Sequence, residues 1–215
     1  MVRKSGLLCS FLVLLCIGTV SGETFTEGEH YRKVEPEVTP HVGEGNVEIV
    51  ELFWYGCPHC FDLESYLTKW LEDQPPFIKL VRVPATLNPR WVTHARTFYA
   101  LEVIGELKRL HPLIFSAIHS QGRRLKDLSS ITRFLVQQGV DEKKFLNAYN
   151  SFEVQTKLRH AMQLNREYGA TGVPTLIVDG KYLTSASMAG SYDKLFKIID
   201  FLAYKEVDAQ SAKTR

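Results

Sequence analysis

Thiols are scarce in this 215-residue chain, which carries four cysteines. Cys9 and Cys16 lie in an apolar N-terminal stretch, leaving Cys57 and Cys60 as the only others. A structural zinc site normally takes four ligands, so without a second cysteine pair it would have to recruit scattered histidines. A c-type haem attachment needs histidine directly after the second cysteine, where Phe61 stands instead. Charge of one sign is lacking too: the formal net charge is +2, which gives no hint of nucleic acid or acidic partners. Neither H-E-x-x-H nor G-x-S-x-G occurs. Gly43-Glu44-Gly45 precedes a strand-like run instead of following one, the wrong order for a phosphate-binding loop. Internal repeats and low-complexity tracts are absent.

What is present begins with an export signal. Arg3 and Lys4 precede an uncharged apolar stretch from Leu7 to Val20, followed by Ser21 and Gly22 at a cleavage-compatible site. Residues 1–22 are expected to be a signal peptide removed after Gly22. The alternative, a membrane anchor, would need about 20 apolar residues, more than this stretch supplies. A lipoprotein signal fares worse, because Leu8 and Leu15 are bulky where a small residue should precede the cysteine. Cleavage would remove two positive charges, bringing the formal charge from +2 to zero, and would leave Cys57 and Cys60 as the only thiols of an exported protein. Export leads to an oxidising compartment.

Val47–Trp54 combines β-branched and aromatic residues with apolar positions on both alternating faces, which predicts a buried central strand. Pro58 suits the first turn of a helix, and Leu63, Leu67, Trp70 and Leu71 recur at helical spacing until Pro75-Pro76. Phe77–Val83 is a second strand, giving β-α-β. From 88 to 169 the pattern is helical, with segments near 91–104, 108–120, 129–138, 142–149 and 152–168, and with Ser129, Asp141 and Ser151 as candidate N-caps. Val173–Val178, a turn at Asp179-Gly180 and Lys181–Leu183 predict a hairpin, followed by a helix from about Ser191 to Tyr204.

The stretch Glu51-Leu-Phe-Trp-Tyr-Gly-Cys-Pro-His-Cys60 sets both cysteines at the strand-to-helix turn. Near a helix start, Cys57 meets unpaired N–H groups and the positive end of the helix dipole, which favours its thiolate. Cys60 comes nearly one turn later, shielded. The spacing therefore predicts an exposed attacking sulfur at Cys57 and a recessed resolving one at Cys60. His59 between them would favour the thiolate further, unless it is an inconsequential turn residue. A stabilised thiolate stabilises the reduced protein, so the chemistry leans towards oxidising other proteins. A structural staple across so short a loop would constrain the unfolded chain little.

Glu51 shares a strand face with Val47, Ile49 and Phe53, which buries it beneath the helix, where a carboxylate with a raised pKa can exchange a proton with a thiol. A slipped register would instead leave it at a solvated edge. Arg82 is either its ionic partner or a solvated strand-end residue. The Val173–Pro174 bond is favoured as trans by X-Pro statistics, while a cis bond would present the preceding backbone to a bound peptide. Trp54 and Tyr55 are either core or an apolar surface for unfolded chains.

These residues resemble the DsbA-type thiol:disulfide oxidoreductases of the thioredoxin superfamily. The resemblance runs through the strand ending Glu51-Leu-Phe, the Cys57-Pro58-His59-Cys60 motif, the helical insertion, Gly172-Val173-Pro174 and Asp179-Gly-Lys-Tyr182. It implies an α/β thioredoxin fold (23–87 and 151–215) with an inserted helical domain (88–150), in a periplasmic protein expected to be a monomer without a cofactor or metal. It implies that Cys57 forms the mixed disulfide with reduced exported proteins, that Cys60 resolves it and that His59 tunes it. Pro58, Val173 and a cis Pro174 would contact substrate, Glu51 would be the buried acid, and a DsbB-type membrane quinone reductase would restore the disulfide. Two positions depart from the family's usual pattern: Arg82 replaces a lysine, and Gly56 stands where a bulkier residue can precede the first cysteine. A reductase or isomerase of the same fold, or a non-catalytic holdase, are the competing readings.

Overall fold

The computed structural model describes residues 24–213; the expected signal peptide, with Cys9 and Cys16, lies outside the described residues. The strands are β1 (Arg32–Lys33), β2 (Val47–Phe53), β3 (Ile78–Pro84), β4 (Thr175–Val178) and β5 (Tyr182–Thr184). The helices are α1 (Pro58–Glu72), α2 (Val92–Val103), α3 (Leu107–His119), α4 (Leu128–Gln137), α5 (Glu142–Tyr149), α6 (Phe152–Glu167), α7 (Ala186–Ala189) and α8 (Tyr192–Lys213). A single 3₁₀ turn, Pro89–Trp91, leads into α2.

The sheet runs in the order β1-β5-β4-β2-β3. β2 pairs parallel to β3 and antiparallel to β4, so it is central and buried along its whole length. Period-two alternation divides the core in two. Val47 and Ile49 of β2, with Leu176 and Val178 of β4, pack under α1 and α8 through Leu63, Leu67, Leu195 and Ile199. Val50, Leu52 and Ile177 face the helices of the central block, including Phe115, Phe134 and Leu158. Phe53, expected beside Val47 and Ile49, packs instead edge-on against Tyr55, Phe98 and His111.

Asp141 and Ser151 cap α5 and α6 as their sequence context predicts, whereas Ser129 does not cap α4. Asp127 does so, accepting the Ser130 N–H at 2.8 Å, while the Ser130 hydroxyl accepts from the Asp127 N–H. A carboxylate at the N-cap also gains from the helix dipole, which a hydroxyl two residues later does not. The last helix continues nine residues past Tyr204, because Lys205–Lys213 contains neither glycine nor proline. β1 and α7 are too short to produce a periodic pattern, so the sequence does not predict them. The hairpin turn is as expected: Asp179 (φ 51°) and Gly180 (φ 67°) are both left-handed, and the Lys181 N–H closes the turn on Val178. Its second strand begins one residue later than expected, at Tyr182.

Candidate active site at the start of the first long helix

Cys57 is the N-cap of α1, with extended backbone (φ −91°, ψ 117°), and Pro58 begins the helix. Its N–H bonds to the Trp54 carbonyl at 2.9 Å and its carbonyl accepts from Phe61 at 3.1 Å, which holds the sulfur above the first turn. The two thiols are less different in accessibility than their spacing implies: Cys57 is only 7% exposed, Cys60 0%. The attacking sulfur is therefore not an exposed group. The segment before Pro174 packs beside it, with the Val173 carbonyl 3.5 Å from the sulfur, and Cys57 keeps a small part of its surface in solvent.

Electrically the two sulfurs differ strongly. Cys57 is lowered to about 6, first by a hydrogen bond from the Cys60 thiol, which outweighs the opposing effect of burial. The N–H groups of Cys60 and His59 add to this without closing a bond of ordinary capping geometry, and the charge of His59 contributes least. Cys60 is driven far upwards, by burial first and then by the neighbouring Cys57 sulfur. His59 itself is solvent-exposed, and its carbonyl accepts from the Tyr192 hydroxyl at 3.1 Å, tying α1 to the start of α8.

Beneath the helix, Glu51 is wholly buried. Its Oε2 accepts from Arg82 Nε at 3.0 Å, while Oε1 has no partner. Burial, then repulsion from Glu64, pushes Glu51 up to about 8 against the opposing pull of Arg82. Arg82 is thus not a solvated strand end: its second bond, 3.1 Å to Glu64 on α1, clamps helix to strand. Glu64 Oε1 lies 3.3 Å from His111 Nε2, and His111 Nδ1 lies 2.9 Å from the Tyr55 hydroxyl. Burial works to raise Glu64, but His111 and Arg82 overrule it and leave its pKa lowered.

Tyr55, considered as part of a surface for unfolded chains, is only 1% exposed and belongs to this buried chain of polar groups. Its place in the core follows from the hydroxyl finding an imidazole partner. Trp54 is half-buried and stacks on Trp91, ring centroids 4.5 Å apart and planes 9° from parallel. The same indole explains Gly56, since a Cβ there would come within 2.3 Å of the Trp54 ring. The Val173–Pro174 bond is cis, contrary to the statistical preference for trans and as the resemblance implies.

Glu64 and His111 are the site residues that sequence reasoning missed. Glu64 had a usable signal, lying seven residues after Cys57, two helical turns along α1. His111 had none, because only the packing of α3 against α1 brings it there. Among the described residues no group of three or more His, Cys, Asp and Glu side chains is arranged to hold a metal ion, and no helix is long and apolar enough to cross a membrane.

Residues 48–199, which include all these groups, match the model of the DSBA-like thioredoxin domain. The chain belongs to that family. DSBA-like relatives include the thiol:disulfide interchange proteins DsbA of Pseudomonas aeruginosa and Burkholderia cepacia. The first is 38% identical over 86% of this chain and 87% of its own length, and the second 39% identical over 76% and 77%. The crystal structure of Pseudomonas aeruginosa DsbA superposes with a TM-score of 0.82 at 37% identity, covering 87% of this chain and 97% of that one. The oxidoreductase DsbA of Xylella fastidiosa gives 0.77 at 29% identity, covering 83% and 96%.

Proposed function

We propose that this DSBA-like protein is a thiol:disulfide oxidoreductase that donates a Cys57–Cys60 disulfide to newly exported proteins. The observation that carries the reading is the inequality of the two sulfurs, with Cys57 lowered to about 6 and Cys60 raised. A substrate thiolate attacks the Cys57 sulfur. The Cys57–Cys60 bond breaks, a Cys57–substrate disulfide forms, and Cys60 takes the electron pair and a proton. A second substrate thiolate then attacks the substrate's own sulfur in the mixed disulfide, expelling Cys57 as a thiolate. Because that thiolate is a good leaving group, release of the oxidised substrate is favoured.

Glu51 is the proton donor and acceptor for Cys60 in this account. Its carboxyl, held at about 8 and with one oxygen unpartnered, exchanges a proton near neutral pH, and its charge is felt at Cys60. His59 and Pro58 form the rim over which substrate approaches. Val173 offers backbone groups beside the sulfur, and Pro174 holds that segment. The protein acts as a monomer in the periplasm, and a DsbB-type membrane quinone reductase restores the disulfide by the reverse exchange. A holdase reading is weakened by the burial of Tyr55, one of the two aromatic residues it rests on. The test is single-turnover oxidation of a reduced dithiol protein: the wild type should transfer one disulfide per chain, Cys57→Ser none. Transfer by Cys57→Ser would refute the assignment.

A further inference from the structure

Beside the Val173–Pro174 segment lies a cavity of about 290 Å³ lined by Arg32, Gly172, Val173, Leu183, Ser185 and Ser187 among others. Its position is set by the sheet: Arg32 on edge strand β1 pairs with Leu183 on β5, and both residues line the same cavity. Val173, whose carbonyl is 3.5 Å from the Cys57 sulfur, is one of the lining residues, so the cavity adjoins the segment beside the reacting atom. Above Gly172 there is open space, since a Cβ there would meet nothing within 4 Å.

Among the described residues Arg32 is the only charged one of the lining. One of its terminal nitrogens donates to the Gly169 carbonyl at 2.6 Å and to the Tyr168 carbonyl at 3.2 Å, at the end of α6. Those bonds fix the guanidinium in place and leave its other donors uncommitted. Among the described residues Arg32 forms no ion pair, and no carboxylate lines the cavity. The lining also holds the hydroxyls of Ser185 and Ser187, 2.8 Å apart, with Ser185 Oγ accepting from the Met188 N–H as the cap of α7 and Ser187 solvent-exposed. A fixed cation with spare donors, in a cavity that also holds hydroxyls and no carboxylate, is complementary to a carboxylate.

We propose that this cavity is a substrate subsite for an aspartate or glutamate side chain within three residues of the substrate's reactive cysteine, with Arg32 as its specificity-determining residue. An extended chain advances about 3.3 Å per residue. A peptide joined to Cys57 and lying along Val173 therefore carries a side chain over Gly172 within two or three residues. This inference rests on the disulfide-donor reading and adds to it a preference among substrates. Because Arg32 is half-buried, the preference is modest: roughly threefold, as for partly solvated ion pairs. It weakens as salt screens the charge.

The test uses unstructured dithiol peptides identical except for Glu, Gln or Lys at each of the three positions on either side of the reactive cysteine. The readout is kcat/KM for disulfide transfer from the oxidised full chain. At one of these positions the wild type should prefer Glu to Gln about threefold at low salt and disfavour Lys. The Glu/Gln ratio should fall to one in Arg32→Ala and survive in part in Arg32→Lys. A purely structural role for Arg32 at the end of α6 would slow all peptides alike and leave the ratio unchanged. Equal rates for Glu, Gln and Lys in the wild type, or an unchanged ratio in Arg32→Ala, would overturn the subsite. If the wild type oxidised no peptide at all, the disulfide-donor reading itself would fall, and the subsite with it.

Discussion

The Arg82 guanidinium binds the Glu51 carboxylate through one oxygen only, at 3.0 Å, and leaves the second oxygen buried without a partner. A buried carboxylate so placed is half-compensated: Arg82 holds its position, yet burial and Glu64 keep its proton affinity high. That balance suits a group which must both give a proton to Cys60 and take one back.

Replacing Glu51 by glutamine preserves shape and removes the exchangeable proton. Glu51→Gln is expected to slow formation of the Cys57–Cys60 disulfide from a Cys57 mixed disulfide by roughly tenfold to a hundredfold, because general acid–base catalysis is lost. Attack of a second substrate thiolate on the substrate sulfur of the mixed disulfide, which expels Cys57 and does not involve Cys60, should change little in comparison. Rapid-quench measurement of the two steps separates them, and an unchanged rate of disulfide formation would remove Glu51 from the proton path.

Thiolate absorbance should report a Cys57 transition near pH 6. The largest cause of that lowering is the Cys60 thiol, with the His59 charge the smallest. Cys60→Ala should therefore raise the Cys57 transition further than His59→Ala does. The reverse ranking would show that His59 is the dominant influence and that the thiol pair is secondary.

The same shift fixes the sign of a stability difference. Cys57 binds fewer protons in the folded reduced protein than in the unfolded chain between about pH 6 and the ordinary thiol range near 9. The stability this contributes is fully present above the unfolded pKa and is lost as pH falls through about 6. The oxidised form has no such group, so denaturant midpoints of the reduced form should exceed those of the oxidised form near pH 8 and approach them near pH 5. The reduced form should gain about 2 kcal/mol over that window, discounted from the full shift because Cys57 keeps a small part of its surface in solvent. Equal midpoints at pH 8 would contradict this.

Gly56 and Trp54 should be energetically coupled. Gly56→Ala drives a methyl into an indole held by its stack on Trp91, which should cost about 1–3 kcal/mol. In a Trp54→Ala background the same change should cost far less, and a double-mutant cycle by urea denaturation measures the difference. Additive effects would mean that the ring moves aside freely.

The sequence made the chemistry more legible than its surroundings. Cys57, Pro58, His59 and Cys60 are contiguous, so a strand pattern before them and a helix pattern after them suffice to place both sulfurs at one turn. Period two put Glu51 on the face under α1. Arg82 pairs with it because β2 and β3 run parallel with Glu51 opposite Arg82, a register that no single strand reveals. Glu64, His111 and Tyr55 are joined across helices distant in the chain, and the burial of Tyr55 depends on a partner 56 residues away. Cys57 proved more enclosed than its place at a helix start implies, because the Val173 segment packed beside it arrives from 116 residues further on. Arg32 sits on a two-residue strand, too short for any periodicity to announce.

The central claim is that the inequality of Cys57 and Cys60 makes their disulfide readily given away. Equilibrium titration of the purified protein against reduced and oxidised glutathione measures that directly. The account predicts a reduction potential above about −200 mV, so that the pair is left mostly reduced at a glutathione poise near that value. A potential below about −250 mV, in the range of a dithiol reductant, would contradict it.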